Sequence, residues 1–251
     1  MTKTNKENCM YKICIDPGHG GKDPGAVNGN YQEKNFNLDI AQKLAFFLES
    51  EGGFKTIFTR TEDVYVSLDD RCKIANQSKC DFFISIHINS ARDPSANGIE
   101  TLCYDEFQSK NLAKYIQRTL ISATGARNRG VSITNMLYVL NSTKMPAVLV
   151  EAGFISNQDD LDWLMEDNYQ NKIAVAITLG ICDYLQIPTK NRVILDKRYR
   201  KIDEIPEYAK ESVKKMCEQG AIKGNGDDLD LSEDMLRLIV IFDRYLNKKV
   251  N

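Results

Sequence analysis

The 251-residue chain contains only two histidines, and each stands beside a strand-like apolar run. His19 follows Ile13-Cys-Ile-Asp-Pro-Gly18 and precedes Gly20 and Gly21, so an apolar run stops at a tight turn with space around an imidazole. His87 follows Phe82-Phe-Ile-Ser-Ile86 in the same way. Two strand ends that each hand over one imidazole look like two arms of one metal site. Zinc takes neutral imidazole and carboxylate ligands, and its catalytic sites use three protein ligands with a further position left open. No third histidine exists and the seven cysteines form no C-x-x-C pair, so the third ligand is expected to be a carboxylate. Glu33 is the candidate. It opens a helix after the Gly/Asn-rich loop 22–32, where a carboxylate is electrostatically favoured and the loop can fold it back toward His19. Spacing alone leaves a second reading of Glu33 open, that of a plain N-terminal helix charge.

Hydrolysis at such a centre also needs a proton acceptor. Glu151 ends the apolar run Ala147-Val-Leu-Val150 and precedes Ala152-Gly153-Phe154. A carboxylate there is costly to bury without a partner, and it is suited to take a proton from water and return it to a leaving amine. The plainer alternatives are that Glu151 caps the following turn and that the histidines are satisfied core residues. Cys14, Cys103 and Cys182 lie inside apolar runs and read as buried, reduced thiols.

These residues need a scaffold that brings strand ends together. Apolar content of 42% and charged content of 27% are ordinary globular values, and the length suits one packed domain with an appendage. Strand-like runs at 10–15, 54–59, 82–87, 98–104 and 147–151 alternate with helical patterns at 33–51, 67–77, 107–122, 157–165 and 168–185. Segment 125–136 reads as irregular, and Leu137–Leu140 as a short strand. The alternation predicts an α/β fold with a largely parallel central sheet and helices on both faces. In such sheets sites form outside the carboxyl ends of strands, where His19, His87 and Glu151 are all expected. Pro188 and the charged run Lys197–Lys201 mark a boundary, giving a catalytic domain over 1–187 and a small all-helical module over 188–251. The module's expected helices are Pro206–Gln219 and Ser232–Leu246, joined by a turn at Gly224-Asn-Gly226.

Asp16-Pro-Gly-His-Gly-Gly21, Glu33 with Asn37-Leu38, Ser85-Ile-His-Ile-Asn-Ser90 and Val150-Glu-Ala-Gly-Phe-Ile-Ser-Asn157 together resemble the ordered motif blocks of zinc-dependent N-acetylmuramoyl-L-alanine amidases. Thr59-Arg60, Leu68 through Arg71 to Ala75-Asn76, and Asn135-Met-Leu-Tyr-Val-Leu140 resemble that family too, and the likeness covers roughly residues 10–186. The resemblance implies His19, Glu33 and His87 as ligands of Zn2+ and Glu151 as the catalytic glutamate. It further implies cleavage of the amide between the lactyl group of N-acetylmuramic acid and L-alanine in peptidoglycan. Asn89 is read as a donor to substrate or as a brace for its own loop. Arg127 and Arg129 are read as solvated or as facing an anionic stem peptide. The tail resembles a single unit related to S-layer homology modules, which implies wall attachment, with homo-oligomerisation as the alternative.

A net charge of −2 argues against a nucleic-acid partner, and no apolar stretch is long enough for membrane insertion. The polar start Met1–Asn8 has no signal-peptide character. The expectation is an enzyme made in the cytoplasm that acts on the wall after release, as a phage endolysin or a leaderless host autolysin does. The rival functions are a zinc peptidase cutting within the stem peptide and a non-catalytic wall-binding protein.

Overall fold

The structure is a computed structural model that describes residues 10–189, 198–199, 201–222, 229, 231–232, 236 and 239–240. The chain divides into two compact units, 1–191 and 192–251. In chain order the first unit reads β1 (Tyr11–Pro17), the two-residue strands β2 (Val27–Asn28) and β3 (Tyr31–Gln32), α1 (Glu33–Glu51), β4 (Phe54–Phe58), α2 (Leu68–Gln77), β5 (Phe82–Asn89) and β6 (Ile99–Cys103). It continues with α3 (Gln108–Thr124), β7 (Asn128–Ile133), α4 (Tyr138–Ser142), β8 (Ala147–Phe154), α5 (Gln158–Met165) and α6 (Asp167–Leu185).

The main sheet has the order β4-β1-β5-β8-β6-β7. The first four strands are mutually parallel; β6 runs antiparallel to β8, and β7 runs parallel to β6. The sheet is therefore largely parallel, as the alternation predicts. Successive side chains take opposite faces. Ile13, Ile15, Ile84, Ile86, Val148 and Val150 pack with Ile40 and Leu44 of α1, Leu112 and Ile116 of α3, and Ile173 and Ile177 of α6. Cys14, Phe83 and Leu149 turn the other way, onto Cys72 and Ala75 of α2 and Val139 and Leu140 of α4. Helices thus cover both faces, but α2 and α4 are short. On their side the sheet is sealed as far as Phe83, Ser85 and Leu149, and the residues beyond them on that face (His87, Glu100 and Glu151) are only half-buried.

Two local expectations are corrected. The stretch 125–136 is not irregular: Asn128–Ile133 adds a polar edge strand, whose few apolar residues hide it from pattern reading. Leu137–Leu140 is not a strand. Tyr138–Ser142 forms a single helical turn that fills the space above α2, so tertiary packing overrides the β preference of Tyr-Val-Leu. The strands carrying the site also run further than expected, because β5 and β8 remain paired through His87–Glu151 to Asn89–Phe154. His87 and Glu151 therefore stand inside strands rather than at their ends. Cys14, Cys103 and Cys182 are buried and form no disulfide, as read.

The second unit contains β9 (Arg198–Tyr199) paired antiparallel with β10 (Leu231–Ser232), a 3-10 turn at Ile202–Glu204, and α7 (Glu207–Glu218), which Pro206 opens. It is not all-helical, since Leu231 and Ser232 pair as strand where a helix start was expected. It has a small cluster of its own, with Tyr199, Ile205, Ala209, Val213 and Leu231. The expected turn at 224–226 and most of the helix 232–246 lie outside the described residues, although 236, 239 and 240 are helical. Among the described residues no helix is long and apolar enough to cross a membrane.

Candidate metal centre and active site

The loop after β1 is shaped for close contact. A Cβ on Gly18 would sit 2.2 Å from His87 Nε2 and Cε1, so only glycine lets that imidazole pass beneath the turn. His19 follows with φ of +60°, a left-handed conformation that costs a non-glycine residue about 1–2 kcal/mol. Two buried guanidinium groups hold it there. Arg60 donates to the carbonyls of Pro17 and Gly18, both at 2.9 Å. Arg71 donates to those of Pro17 and His19 at 2.7 and 2.6 Å, and pairs with buried Asp16 at 2.7 Å.

Glu33 arrives from the opposite direction. The first amides of α1 are satisfied by the loop, with Glu33 N–H donating to Ala26 O at 2.9 Å and Lys34 N–H to Pro24 O at 3.2 Å. The Glu33 side chain then turns back, 4% exposed, and its oxygens accept from the Ala26 and Ile88 amides at 2.9 and 3.1 Å and from Asn37 Nδ2 at 3.2 Å. His87 Nδ1 lies 2.8 Å from its Oε1 and His19 Nε2 lies 3.2 Å from its Oε2. One potential ligand atom from each of His19, Glu33 and His87 falls within 4.8 Å of the others. Asp23 Oδ2, 2.9 Å from His19 Nδ1, orients that ring from behind, as outer carboxylates do for metal-bound histidines. The donor set, its convergence and its braced backbone fit a divalent ion that accepts imidazole and carboxylate.

Burial pushes the Glu33 carboxyl up, but the hydrogen bonds from His19 and His87 outweigh it and hold Glu33 well below the usual carboxylate range. Burial likewise works against charged imidazoles, yet the Glu33 hydrogen bond and charge raise both, His19 to about 9 from 6.5. In the ion-free protein, protons thus supply the positive charge that a bound divalent ion would supply. The sign follows from linkage: this pairing stabilises the fold fully below the unfolded value of 6.5 and is lost as pH rises through about 9. An ion must displace those protons. The gap in Tm between zinc-loaded and stripped protein is therefore expected to widen from pH 6.5 to 9, and zinc titration to release protons into the buffer. A gap that narrows over this window would contradict the site.

Glu151 is the register partner of His87 across β5 and β8. The residue is half-buried, but its Oε2 is fully enclosed and has no hydrogen-bond partner. Burial first, then the charges of Glu33 and Glu100, raise its carboxyl to about 7 against the pull of His87. A cleft of about 300 Å³ opens beside the two histidines, walled by Tyr65, Val66, Leu68 and Val139.

The structure thus brings His19, Glu33, His87 and Glu151 to one place. Asn89 braces its own loop, its Oδ1 accepting from the Ser90 amide at 2.7 Å. Arg127 is exposed. Sequence reasoning gave no role to Asp23, Arg60 or Arg71, which stand in polar or charged stretches that carry no local signal of burial.

A sequence profile described as N-acetylmuramoyl-L-alanine amidase matches residues 13–183. The chain is 41% identical over 175 residues to the N-acetylmuramoyl-L-alanine amidase LytC of Bacillus subtilis, covering 68% of this chain and 35% of that protein. It is 35% identical over 186 residues to the endolysin of Bacillus phage SPP1, covering 71% and 68%. Among solved structures, the N-acetylmuramoyl-L-alanine amidase from Clostridium difficile 630 superposes with a TM-score of 0.69 at 38% identity, over 72% of this chain and 98% of that one. On the profile, the relatives and the shared fold, the chain belongs to the N-acetylmuramoyl-L-alanine amidase family.

Proposed function

We propose that this amidase is zinc-dependent, that His19, Glu33 and His87 hold the ion, and that Glu151 is its proton-transfer residue, in cleavage of the lactyl–L-alanine amide of peptidoglycan. The observation that carries the assignment is the enclosed, unpartnered Oε2 of Glu151, the cross-strand register partner of the candidate ligand His87. When bound, zinc would supply Lewis-acid polarisation of the scissile carbonyl and acidify water. The rest falls to the chain itself. Asp23 and Glu33 fix the imidazole orientations, and Arg60 and Arg71 hold the His19 turn. Glu151, with a proton affinity near 7, is suited both to accept a proton from the attacking water and to give it to the departing alanine nitrogen.

The second unit is proposed as a wall-binding or oligomerising module appended to the catalytic domain. The cellular role is proposed as that of an endolysin, supported by the likeness to the phage SPP1 protein. The likeness to LytC supports a host autolysin as the second reading. Export from a producing cell with no membrane-permeabilising partner would decide for the host enzyme.

Digestion of purified peptidoglycan tests the reaction. New L-alanine amino termini without new reducing sugar ends, lost on metal stripping and restored by zinc, are expected. Amino termini on other stem residues would make the enzyme a peptidase. Undiminished activity after metal stripping would remove zinc from the mechanism.

A further inference from the structure

One strand beyond Glu151 the sheet carries a β-bulge centred on Arg129. Strands β6 and β7 pair Ile99 with Asn128 and then Glu100 with Gly130, so Arg129 is the extra residue. Bulges recur beside active sites, where they re-aim a side chain. Gly130 takes up the distortion at φ of +89°, which other residues rarely adopt. The Arg129 guanidinium consequently lies over the Phe154 ring, 4.8 Å from its centroid. Its Nε is 3.9 Å from Glu100 Oε2 and its Nη1 is 3.4 Å from the Asn97 carbonyl. Glu100 in turn accepts from the Ser132 hydroxyl and is the register partner of Glu151. The Arg129 and Glu100 side chains are 31% and 18% exposed, so Arg129 is a propped cation and not a freely solvated one. Nη2 has no hydrogen-bond partner among the described residues.

Register therefore sets His87, Glu151, Glu100 and Gly130 side by side across β5, β8, β6 and β7, and the bulged Arg129, just before Gly130, reaches the row through Glu100. The reaction gives this row a direction. If Glu151 protonates the departing nitrogen, the nitrogen lies on the Glu151 side of the histidines. The acyl half then lies on the other side, where the Tyr65 and Leu68 cleft opens. The stem peptide must leave over β6 toward β7. Neighbouring strands are ~4.8 Å apart and an extended peptide advances ~3.5 Å per residue, so the second stem residue falls over Glu100 and Arg129. In peptidoglycan that residue is a glutamyl unit linked through its side chain, which leaves its α-carboxylate free or amidated.

We propose that Arg129 is a specificity-determining residue that binds the free α-carboxylate of the second stem residue through its Nη edge, while Glu100 steadies the Nε edge. This rests on the amidase reading with Glu151 as the acid. An arginine fork offers donors on two edges, so serving Glu100 and a ligand carboxylate together is within its geometry. A purely structural Arg129 would neutralise Glu100 and show no preference between the two substrate forms.

The test uses the zinc-loaded full chain and two synthetic muramoyl peptides that differ only in whether the second residue bears a carboxylate or a carboxamide. Wild type is expected to favour the carboxylate form in kcat/KM by ~10-fold or more, the scale of a charge-assisted hydrogen bond, with the difference mostly in KM. In Arg129→Gln the ratio between the two substrates should fall to about one, and Arg129→Lys, which keeps charge without the fork, should fall between. No preference in wild type, or a preference unchanged in Arg129→Gln, overturns the proposal. Calorimetric binding of the dipeptide L-alanyl-D-isoglutamate gives a readout free of catalysis and should weaken about tenfold in Arg129→Gln. If neither substrate is cleaved but the dipeptide binds through Arg129, the amidase reading fails and the subsite stands. If both are cleaved equally by wild type and Arg129→Gln, the subsite fails and the amidase reading stands.

Discussion

Glu151→Gln is expected to lower kcat by about 10²–10⁴-fold, the usual contribution of a positioned proton-transfer group, while zinc content stays at the wild-type level. The amide has the shape of the carboxyl it replaces but cannot exchange a proton near neutral pH. The distinguishing feature is what happens to stability. Burial raises the Glu151 carboxyl from 4.5 to about 7, so the folded protein binds its proton more tightly than the unfolded chain does. The native state then holds more protons than the unfolded state between those two values, and stability is lost as pH rises through the window. Above pH 7 the ionised, half-buried carboxylate, with no hydrogen-bond partner on Oε2, is a burden that Gln does not carry. Stripped Glu151→Gln should therefore melt at or above the stripped wild-type temperature at pH 8 and show no such advantage at pH 4. Loss of activity with unchanged or higher stability is the mark of a residue kept for chemistry. A variant retaining kcat within tenfold of wild type would remove Glu151 from the catalytic role.

The sequence made much of this site legible because its chemistry is sparse. With two histidines, a metal centre had few ways to be assembled, and the apolar runs before His19, His87 and Glu151 placed all three near one edge of a sheet. What the pattern could not show was depth. Ile88 and Ala152 continue the pairing of β5 and β8, so His87 and Glu151 lie within strands, and register makes them neighbours. Strand direction was equally invisible, because Ile99–Cys103 reads the same whether it joins β8 parallel or antiparallel. The edge strand Asn128–Ile133 escaped because a solvent-washed edge needs little apolar sequence. Its bulge at Arg129 escaped because register is a property of two strands, one of which was not yet recognised. The outer residues were hidden for a related reason. Asp16, Arg60 and Arg71 look like surface charges in composition, yet each is nearly fully buried, and their partners lie tens of residues away.

The largest stability effect is expected at Arg71. Arg71 is 2% exposed and Asp16 is 1% exposed, and their 2.7 Å contact is supplemented on Asp16 by the Thr59 and Ser85 hydroxyls at 2.6 and 2.8 Å. Arg71→Met keeps the volume but strands the carboxylate, and losing one member of a buried pair costs about 3–5 kcal/mol. That is a large share of the ~5–15 kcal/mol that typically holds a domain together. Urea unfolding should show the loss, and Asp16→Asn combined with Arg71→Met should recover part of it, because the charge that needed a partner is gone. Arg71→Lys separates stability from function. Lysine can remain paired with Asp16, but its single ammonium cannot also reach the carbonyls of Pro17, His19 and Val66, which Arg71 holds at 2.7, 2.6 and 3.0 Å. The His19 turn, strained at φ of +60°, would then loosen while the core charge stays satisfied. Zinc affinity should fall by ~10–100-fold, as it does when outer supports of a metal site are removed, with a much smaller loss of stability than in Arg71→Met. Arg71→Lys with wild-type zinc affinity would mean that the His19 turn holds its shape without the guanidinium, and that Arg71 serves only to neutralise Asp16.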